Sequence, residues 1–398
     1  MKKLLFVDEE PELQNKIRYA QTHGTDKWDV VYTPTSDAAL DAVGTTTFDA
    51  VVAAQRLTRM PGAQLLEEIR KRSPDTVRIL LATPSDRGAI PKGMNSAHQY
   101  LSKPCEGEEV LATATRACDL RRLLAKPSVR ELVSGLRTLP SLPSLYVELE
   151  TEMRSPDASL KSAAAIIASD PAMSAKILQL INSPFFGLRT NVRDLTQAVS
   201  LLGLDSIKAL VLSVQVFSQF RALPASIFSV ESLWSHSLRT ASLARKLARM
   251  ERCSTAEVET AFLGGLLHDI GILALVSNLR QEYADLLKHL QSNEIAATEA
   301  ERRMFGATHA EVGAYLLGLW GLGDDIVEIL AYHHGPTHNV PPIFTPLAAV
   351  HVANALEYEA GARQAAWASA HLDEQYLAHL KVLDRLPAWR EAAAELVL

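Results

Sequence analysis

Up to about residue 120, short apolar runs alternate with amphipathic stretches. KLLFVD, WDVVYT, FDAVVAA, VRILLAT and HQYLS read as strands. Between them, segments such as Ala63–Arg72 place Leu65, Leu66 and Ile69 on one helical face. Strands alternating with helices predict a doubly wound, five-stranded parallel sheet. Pro127 interrupts a leucine- and arginine-rich helix, DLRRLLAKP, which reads as the last helix of this unit prolonged into a linker. From about residue 130 the strand patterns stop and long helical periodicities run to Leu398. Asp170-Pro171 starts one helix with a carboxylate cap followed by proline, and Asn182-Ser183-Pro184 ends it. Gly203 and Asp205 separate AVSLLG from DSIKALVLSVQVF. The predicted fold class is therefore α/β followed by all-α. Its domains cover residues 1–122 and 138–398, with a helical linker over 123–137.

Composition narrows the function classes. Of 398 residues, 47% are hydrophobic and 22% charged, as in an ordinary globular protein. A net charge of -6 gives no global attraction to nucleic acid or to an anionic membrane. The helix pair in SLLGLDSIKALVL has the short turn of a helix-turn-helix, but its second helix offers one cation, Lys208, among apolar residues, so no DNA partner is expected. Cys105, Cys118 and Cys253 form no C-x-x-C pair, which points to a reducing compartment and away from thiolate metal sites. The run LLFV is cut short by Asp8-Glu9-Glu10, unlike a signal peptide, and no segment approaches about 18 uninterrupted apolar residues. A cytoplasmic location without a membrane partner is the expectation.

In an open parallel sheet, functional residues gather where the strands end. Asp8 and Glu9 close the first strand, Ala54 the third and Ala82 the fourth, and Lys103-Pro104 follows the fifth. Over residues 1 to about 120 this layout resembles the receiver domain of two-component response regulators. The resemblance implies that Asp8 and Glu9 form the acidic pair for Mg²⁺ and that Lys103 is the pocket lysine. It also places Ala54 at the phosphoacceptor position and Ala82 at the hydroxyl position, with Thr83 one step late. A methyl group accepts no phosphoryl group, and Asp49 sits at the wrong end of its strand. The expectation is a pseudo-receiver outside the usual phosphorelay, without Mg²⁺, a cation that needs oxygen ligands. Its contact face would carry Tyr100 and Lys103.

The helical part concentrates histidines: His236, His268 beside Asp269, His309, the pair His333-His334, and His351. His236 shares an inward face with Leu243 and Leu247. Gly264-Gly265 ahead of His268 permit close approach of another helix. Imidazoles with one carboxylate and no thiolate suit Fe, Mn, Zn or Ni. A hydrogen-bonded core cluster without metal fits the same residues.

LPSLP, SDPAMSAKILQLINSPFFG, the histidine of WSH, GGLLHDIG, GATHAEVGAYLLGLWGL and AYHHG together resemble the HDOD domain, from about residue 135 to beyond 355. HDOD domains are regulatory relatives of the HD and HD-GYP phosphohydrolases. The resemblance implies that His236, His268, Asp269, His309, His333 and His334 occupy metal-ligand positions. It also implies losses: Ile272 stands where the enzymes carry lysine, Asn354 where they carry a ligand aspartate, and no G-Y-P tract follows His334. The function so implied is signal transduction through contacts with a kinase, cyclase or other regulator, without turnover and with no catalytic residue; a homodimer is compatible with it. The alternative is a metal-dependent phosphohydrolase acting on a nucleotide or cyclic dinucleotide.

Overall fold

The computed structural model describes residues 2–23, 28–73, 76–83, 97, 99–136, 143–153, 159–183, 192–220, 223, 228–292, 295–336, 342–360, 367 and 370–395. The LPSLP motif lies outside them except for Pro143, as does the SPFFG tract beyond Ser183. The chain divides into two compact units, the first ending at Leu123 and the second starting at Leu124.

The first unit runs β1 (Lys2–Val7), α1 (Pro11–His23), β2 (Trp28–Thr33), α2 (Ser36–Thr45), β3 (Ala50–Ala54), α3 (Gly62–Arg72), β4 (Val77–Ala82), β5 (Gln99–Ser102) and α4 (Gly107–Leu124). The strands pair in parallel in the order β2-β1-β3-β4-β5. Alternation along β1 sends Leu4 and Phe6 into a core with Ile17, Val110 and Ala114, while Leu5 and Val7 enter a second core with Leu65, Leu66 and Ile69. Helices thus cover both faces, which is why β3 and β4 are buried throughout and, Arg78 of β4 apart, read as apolar runs. The strand order reverses beside β1, so the carboxyl ends of β1 and β3 lie together and leave a crevice there.

The second unit is helical: α5 (Pro127–Gly135), α6 (Ser144–Met153), α7 (Leu160–Ala168), α8 (Pro171–Ile181), α9 (Leu195–Leu202), α10 (Leu204–Ser218), α11 (Val230–Met250), α12 (Thr255–Leu267), α13 (Ile270–Asn278), α14 (Arg280–Ser292), α15 (Ala297–Phe305), α16 (His309–Leu319), α17 (Asp324–Tyr332), α18 (Pro346–Ala360), α19 (Glu374–His379) and α20 (Leu386–Ala394). Helix α5, within the segment expected to be linker, buries Val129 and Val133 and packs against α16. Asp170 caps α8 by accepting the Met173 amide, with Pro171 in the first turn. In α10, Ile207, Leu210, Val211 and Leu212 are fully buried and Lys208 pairs with Glu150 at 2.6 Å, so this helix is core.

Three glycines set the distances that matter. A Cβ on Gly265 would lie 2.6 Å from the Ala241 Cα on α11, and one on Gly264 the same distance from Ile329 on α17. At Gly271 it would meet the His309 carbonyl oxygen at 1.9 Å. Helices α11, α13, α16 and α17 therefore converge where α12 meets α13. The stretch Thr255–Asn278 is long and apolar enough to cross a membrane, yet 83% of its apolar 18-residue window is buried inside this unit. Its apolar surface is spent on the domain's own core.

Candidate functional site

Helix α12 stops at Leu267 and α13 starts at Ile270, so His268 and Asp269 occupy the break. His236 projects from the middle of α11. His309 opens α16 just after the Thr308 cap, whose hydroxyl accepts the Glu311 amide while Glu311 accepts the Thr308 amide. His333 and His334 end α17. The six side chains meet around one carboxylate. Oδ2 of Asp269 lies 3.2 Å from His268 Nε2 and 3.6 Å from His236 Nε2. Oδ1 lies 3.3 Å from His309 Nε2 and 3.4 Å from His333 Nε2. The Nε2 atoms of His236 and His268 are 3.2 Å apart, and those of His309 and His334 are 2.9 Å apart. Asp269 is thus shared by two ligand groups, one with His236 and His268, the other with His309, His333 and His334.

Protonation states follow from the surroundings. Burial, reinforced by the neighbouring His268 and His309, pulls the His333 imidazole down to about 4, against the attraction of the Asp269 carboxylate. Its single ring proton goes to Nδ1, which donates to the Leu330 carbonyl at 2.8 Å. The Nε2 lone pair then faces Asp269 Oδ1, and neither atom has a hydrogen-bond partner. Burial opposes ionisation of Asp269, but the surrounding imidazoles, His268 foremost, outweigh it and hold the carboxyl well below its ordinary value. A lone pair facing a buried carboxylate is repulsive unless a cation lies between them. The spacing agrees with that. Bonds of about 2.0–2.1 Å place neighbouring ligand atoms about 2.9 Å apart at right angles and about 3.4 Å apart at tetrahedral angles. The residues present therefore fit a first-row transition ion.

Burial also holds His236 down at about 3 and His334 well below its ordinary value, so both are neutral donors. His309 goes the other way. Burial would lower it, but Glu301 and Asp269 raise it to about 10, and a metal would have to replace its Nε2 proton.

Glu301 and Tyr283 escaped the sequence, whereas His351 and Asn354 stand out in it already. Glu301, fully buried on α15, accepts from His309 Nδ1 at 2.7 Å and from the His309 amide at 2.9 Å. Tyr283 donates to the other Glu301 oxygen at 3.4 Å. His351 donates to the His333 carbonyl at 2.8 Å and accepts the Asp373 amide at 3.0 Å. Asn354 lies beside His236 and, with Tyr358, Trp367 and Ala370, lines a cavity of about 10 Å³ over the cluster. That is room for about one water.

The crevice in the first unit is built differently. Asp8 is buried, and its Oδ2 lies 2.7 Å from Lys103 Nζ, at an angle poor for a hydrogen bond but with the Coulomb attraction intact. Lys103 also pairs with Glu10 at 2.9 Å. Burial opposes charge on Lys103, and these two carboxylates raise its pKa in spite of that. Glu9, expected beside Asp8, turns away and accepts the Thr58 amide; Glu10 takes the place next to the lysine. Ala54 and Thr83 line the remaining cavity of about 210 Å³. Asp49 sits at the amino end of β3, where Oδ2 accepts the Lys3 amide at 2.7 Å. Tyr100 lies in β5, and its side chain is outside the described residues. Burial pushes Cys105 up to about 11 and Cys118 up to about 12, so neither thiol is reactive.

Comparison with known proteins agrees with both halves. Residues 4–115 match the response regulator receiver domain and residues 139–336 match the HDOD domain. The chain is a receiver–HDOD protein. Over 209 residues it is 28% identical to an uncharacterized protein of Treponema pallidum (strain Nichols); the match covers 52% of this chain and 40% of that one. The receiver–HDOD chain thus spans well under two thirds of that relative. An HDOD domain protein of unknown function from Geobacter sulfurreducens superposes with a TM-score of 0.54 at 24% identity, over 70% of this chain and 95% of that one. A protein from Marinobacter aquaeolei VT8, provisionally named for signal transduction, gives 0.52 at 16% identity, over 92% and 88%. These two likenesses establish the fold. The two matched domains together form a signal-transduction architecture.

Proposed function

We propose that this receiver–HDOD protein is a signalling adaptor whose helical domain holds a first-row transition metal and whose receiver takes no phosphoryl group. The observation that carries the metal is the His333 Nε2 lone pair facing Asp269 Oδ1 at 3.4 Å, both buried and without a hydrogen-bond partner. His236, His268, Asp269, His309, His333 and His334 would hold it, and Fe, Mn, Zn and Ni all suit that donor set. Such an ion supplies Lewis acidity and structural bracing when bound. Mg²⁺ is not expected in the receiver, because Asp8 is paired with Lys103 and Ala54 offers no oxygen.

Action by contact rather than turnover is supported by the surroundings of the cluster. The cavity above it is about 10 Å³, far below the size of a nucleotide, with Trp367 against His236 at 5.5 Å between ring centroids. Ile272 is buried within α13 and offers no cation to a phosphate. The partners in this reading are kinases, cyclases or other regulators, in the cytoplasm, with neither DNA nor a membrane. The second reading, a metal-dependent phosphohydrolase, draws on one observation: Asp269 is shared by two ligand groups, as a two-ion centre requires. Two assays separate the readings. Full-length protein with Mn²⁺ or Fe²⁺ is expected to hydrolyse no member of a panel of phosphodiesters and cyclic dinucleotides, and pull-downs should recover signalling proteins through the helical domain. Hydrolysis of a cyclic dinucleotide that disappears with Asp269→Ala would instead establish the enzyme.

A further inference from the structure

We infer that the two halves of the cluster are unequal and load in order, the His309–His333–His334 half first, with Glu301 as the positioning residue that sets the order. This rests on reading the cluster as a metal centre. Both halves share Asp269, so the difference lies in the remaining donors and in what orients them.

The first half has three imidazoles, of which two have their far nitrogens engaged. His309 Nδ1 lies 2.7 Å from Glu301 Oε2 and 2.9 Å from Oε1, and His333 Nδ1 donates to the Leu330 carbonyl at 2.8 Å. A carboxylate on the far side of a ligating imidazole fixes the tautomer that leaves Nε2 free and makes that nitrogen more basic. It also brings a second negative charge close to the ion without occupying a coordination position. Glu301 is itself held by the His309 amide and by Tyr283. The His333 backbone carbonyl is fastened by His351.

The second half has two imidazoles. His268 Nδ1 donates to the Gly265 carbonyl at 2.8 Å, but His236 Nδ1 is buried without a partner, so no acceptor holds its ring proton there to leave Nε2 free for an ion. The fourth group within reach is Asn354, a neutral amide. The nearby cation Arg239, although paired with Glu357, opposes added positive charge. Fewer donors, weaker orientation and less negative charge all act in one direction. The second half binds more weakly.

Titration of metal-free full-length protein with Zn²⁺ against a competing chelator resolves the equivalents. Glu301→Gln is expected to weaken the first equivalent by about 10- to 100-fold while moving the second by no more than about twofold. His236→Ala should do the reverse, keeping the first equivalent and abolishing the second. A purely structural role for Glu301 would lower both equivalents and the unfolding temperature together, so the split is the informative readout. Should Glu301→Gln fail to fold, Tyr283→Phe keeps the carboxylate but removes its support and is expected to weaken the first equivalent by a smaller factor. The opposite pattern, with the first equivalent lost in His236→Ala and kept in Glu301→Gln or Tyr283→Phe, overturns the order. Two equal equivalents in the wild type also overturn it while leaving the metal centre standing. A wild type that takes up no Zn²⁺ overturns the metal centre itself.

Discussion

The crevice at the edge of the sheet and the cluster at the helix junctions each lack a group that an active relative would carry, and they have responded in opposite ways. In the receiver, Ala54 removes a carboxylate, and the charges left behind pair with one another: Lys103 with Asp8 at 2.7 Å and with Glu10 at 2.9 Å, and Glu9 with the Thr58 amide. Asp8 Oδ2 makes no hydrogen bond, but the Lys103 ammonium 2.7 Å away supplies the cation it faces. In the helical unit, Asn354 and Ile272 stand where the family resemblance implies charged residues, yet five imidazoles converge on Asp269, and His333 Nε2 keeps a lone pair aimed at a carboxylate oxygen. Buried polar groups left unmatched are costly, so a site that has lost its ion for good re-pairs, and one that has not keeps its orphans.

The largest effect should come from the backbone contact that brings the ligands together. In Gly271→Ala the new methyl would lie 1.9 Å from the His309 carbonyl oxygen and 2.8 Å from the Gly313 nitrogen. Helices α13 and α16 must then separate, at a cost of about 3 kcal/mol or more to the helical domain. Urea denaturation measures it, and a variant as stable as wild type would show that the close approach does not hold the cluster.

Removing one partner from the receiver's pairing sharpens the contrast from the other side. Lys103→Met strands the buried Asp8 carboxylate and is expected to cost about 1–3 kcal/mol of receiver stability. Glu9→Ala touches an exposed bond and should leave the unfolding temperature nearly unchanged. Equal losses in thermal unfolding would mean that the crevice has not re-paired as described.

The pH response of the metal-free helical domain has a definite sign. His309 is raised to about 10, so its stabilising contribution is complete below the ordinary value of 6.5 and is lost as pH climbs toward 10. His236 and His333 are depressed to about 3 and about 4, so the unfolded chain takes up protons that the folded one refuses, and stability falls as pH drops from 6.5 toward 4. Melting temperature should therefore peak near pH 6.5. Added metal must displace the His309 proton, so its stabilising effect should grow as pH rises toward 10. A pH-independent metal effect would contradict the cluster's electrostatics.

The smallest expected effect is none at all. Acetyl phosphate with Mg²⁺ should leave the intact mass unchanged, because Ala54 cannot accept the phosphoryl group. A stoichiometric aspartyl phosphate within residues 1–120 would contradict that.

Much of this was readable in the chain. Parallel strands buried on both faces read as largely apolar runs, so the LLFV of β1 and the ILLA of β4 stood out. The six residues of the His/Asp cluster carried a chemical signature that survives without coordinates. Glu301 did not, because α15 and α16 meet through a turn at Gly306, and a single glutamate eight residues before His309 follows no helical or strand period. The exchange of Glu9 for Glu10 was equally hidden: three consecutive acids at a strand end look alike until the loop carrying Thr58 selects one. Trp367 and Ala370 reach the cluster from the far side of α18, a contact set by tertiary packing alone.

The central claim is that the helical cluster still binds a metal while the receiver crevice does not. Elemental analysis of full-length protein purified without added metal, beside Asp269→Ala and Lys103→Met, tests it most directly. The account predicts one or two first-row transition ions per wild-type chain, the same content in Lys103→Met, and none in Asp269→Ala. A wild-type protein that is metal-free, takes up no added ion, and unfolds at the same temperature with and without it would contradict the account and leave the cluster a hydrogen-bonded core.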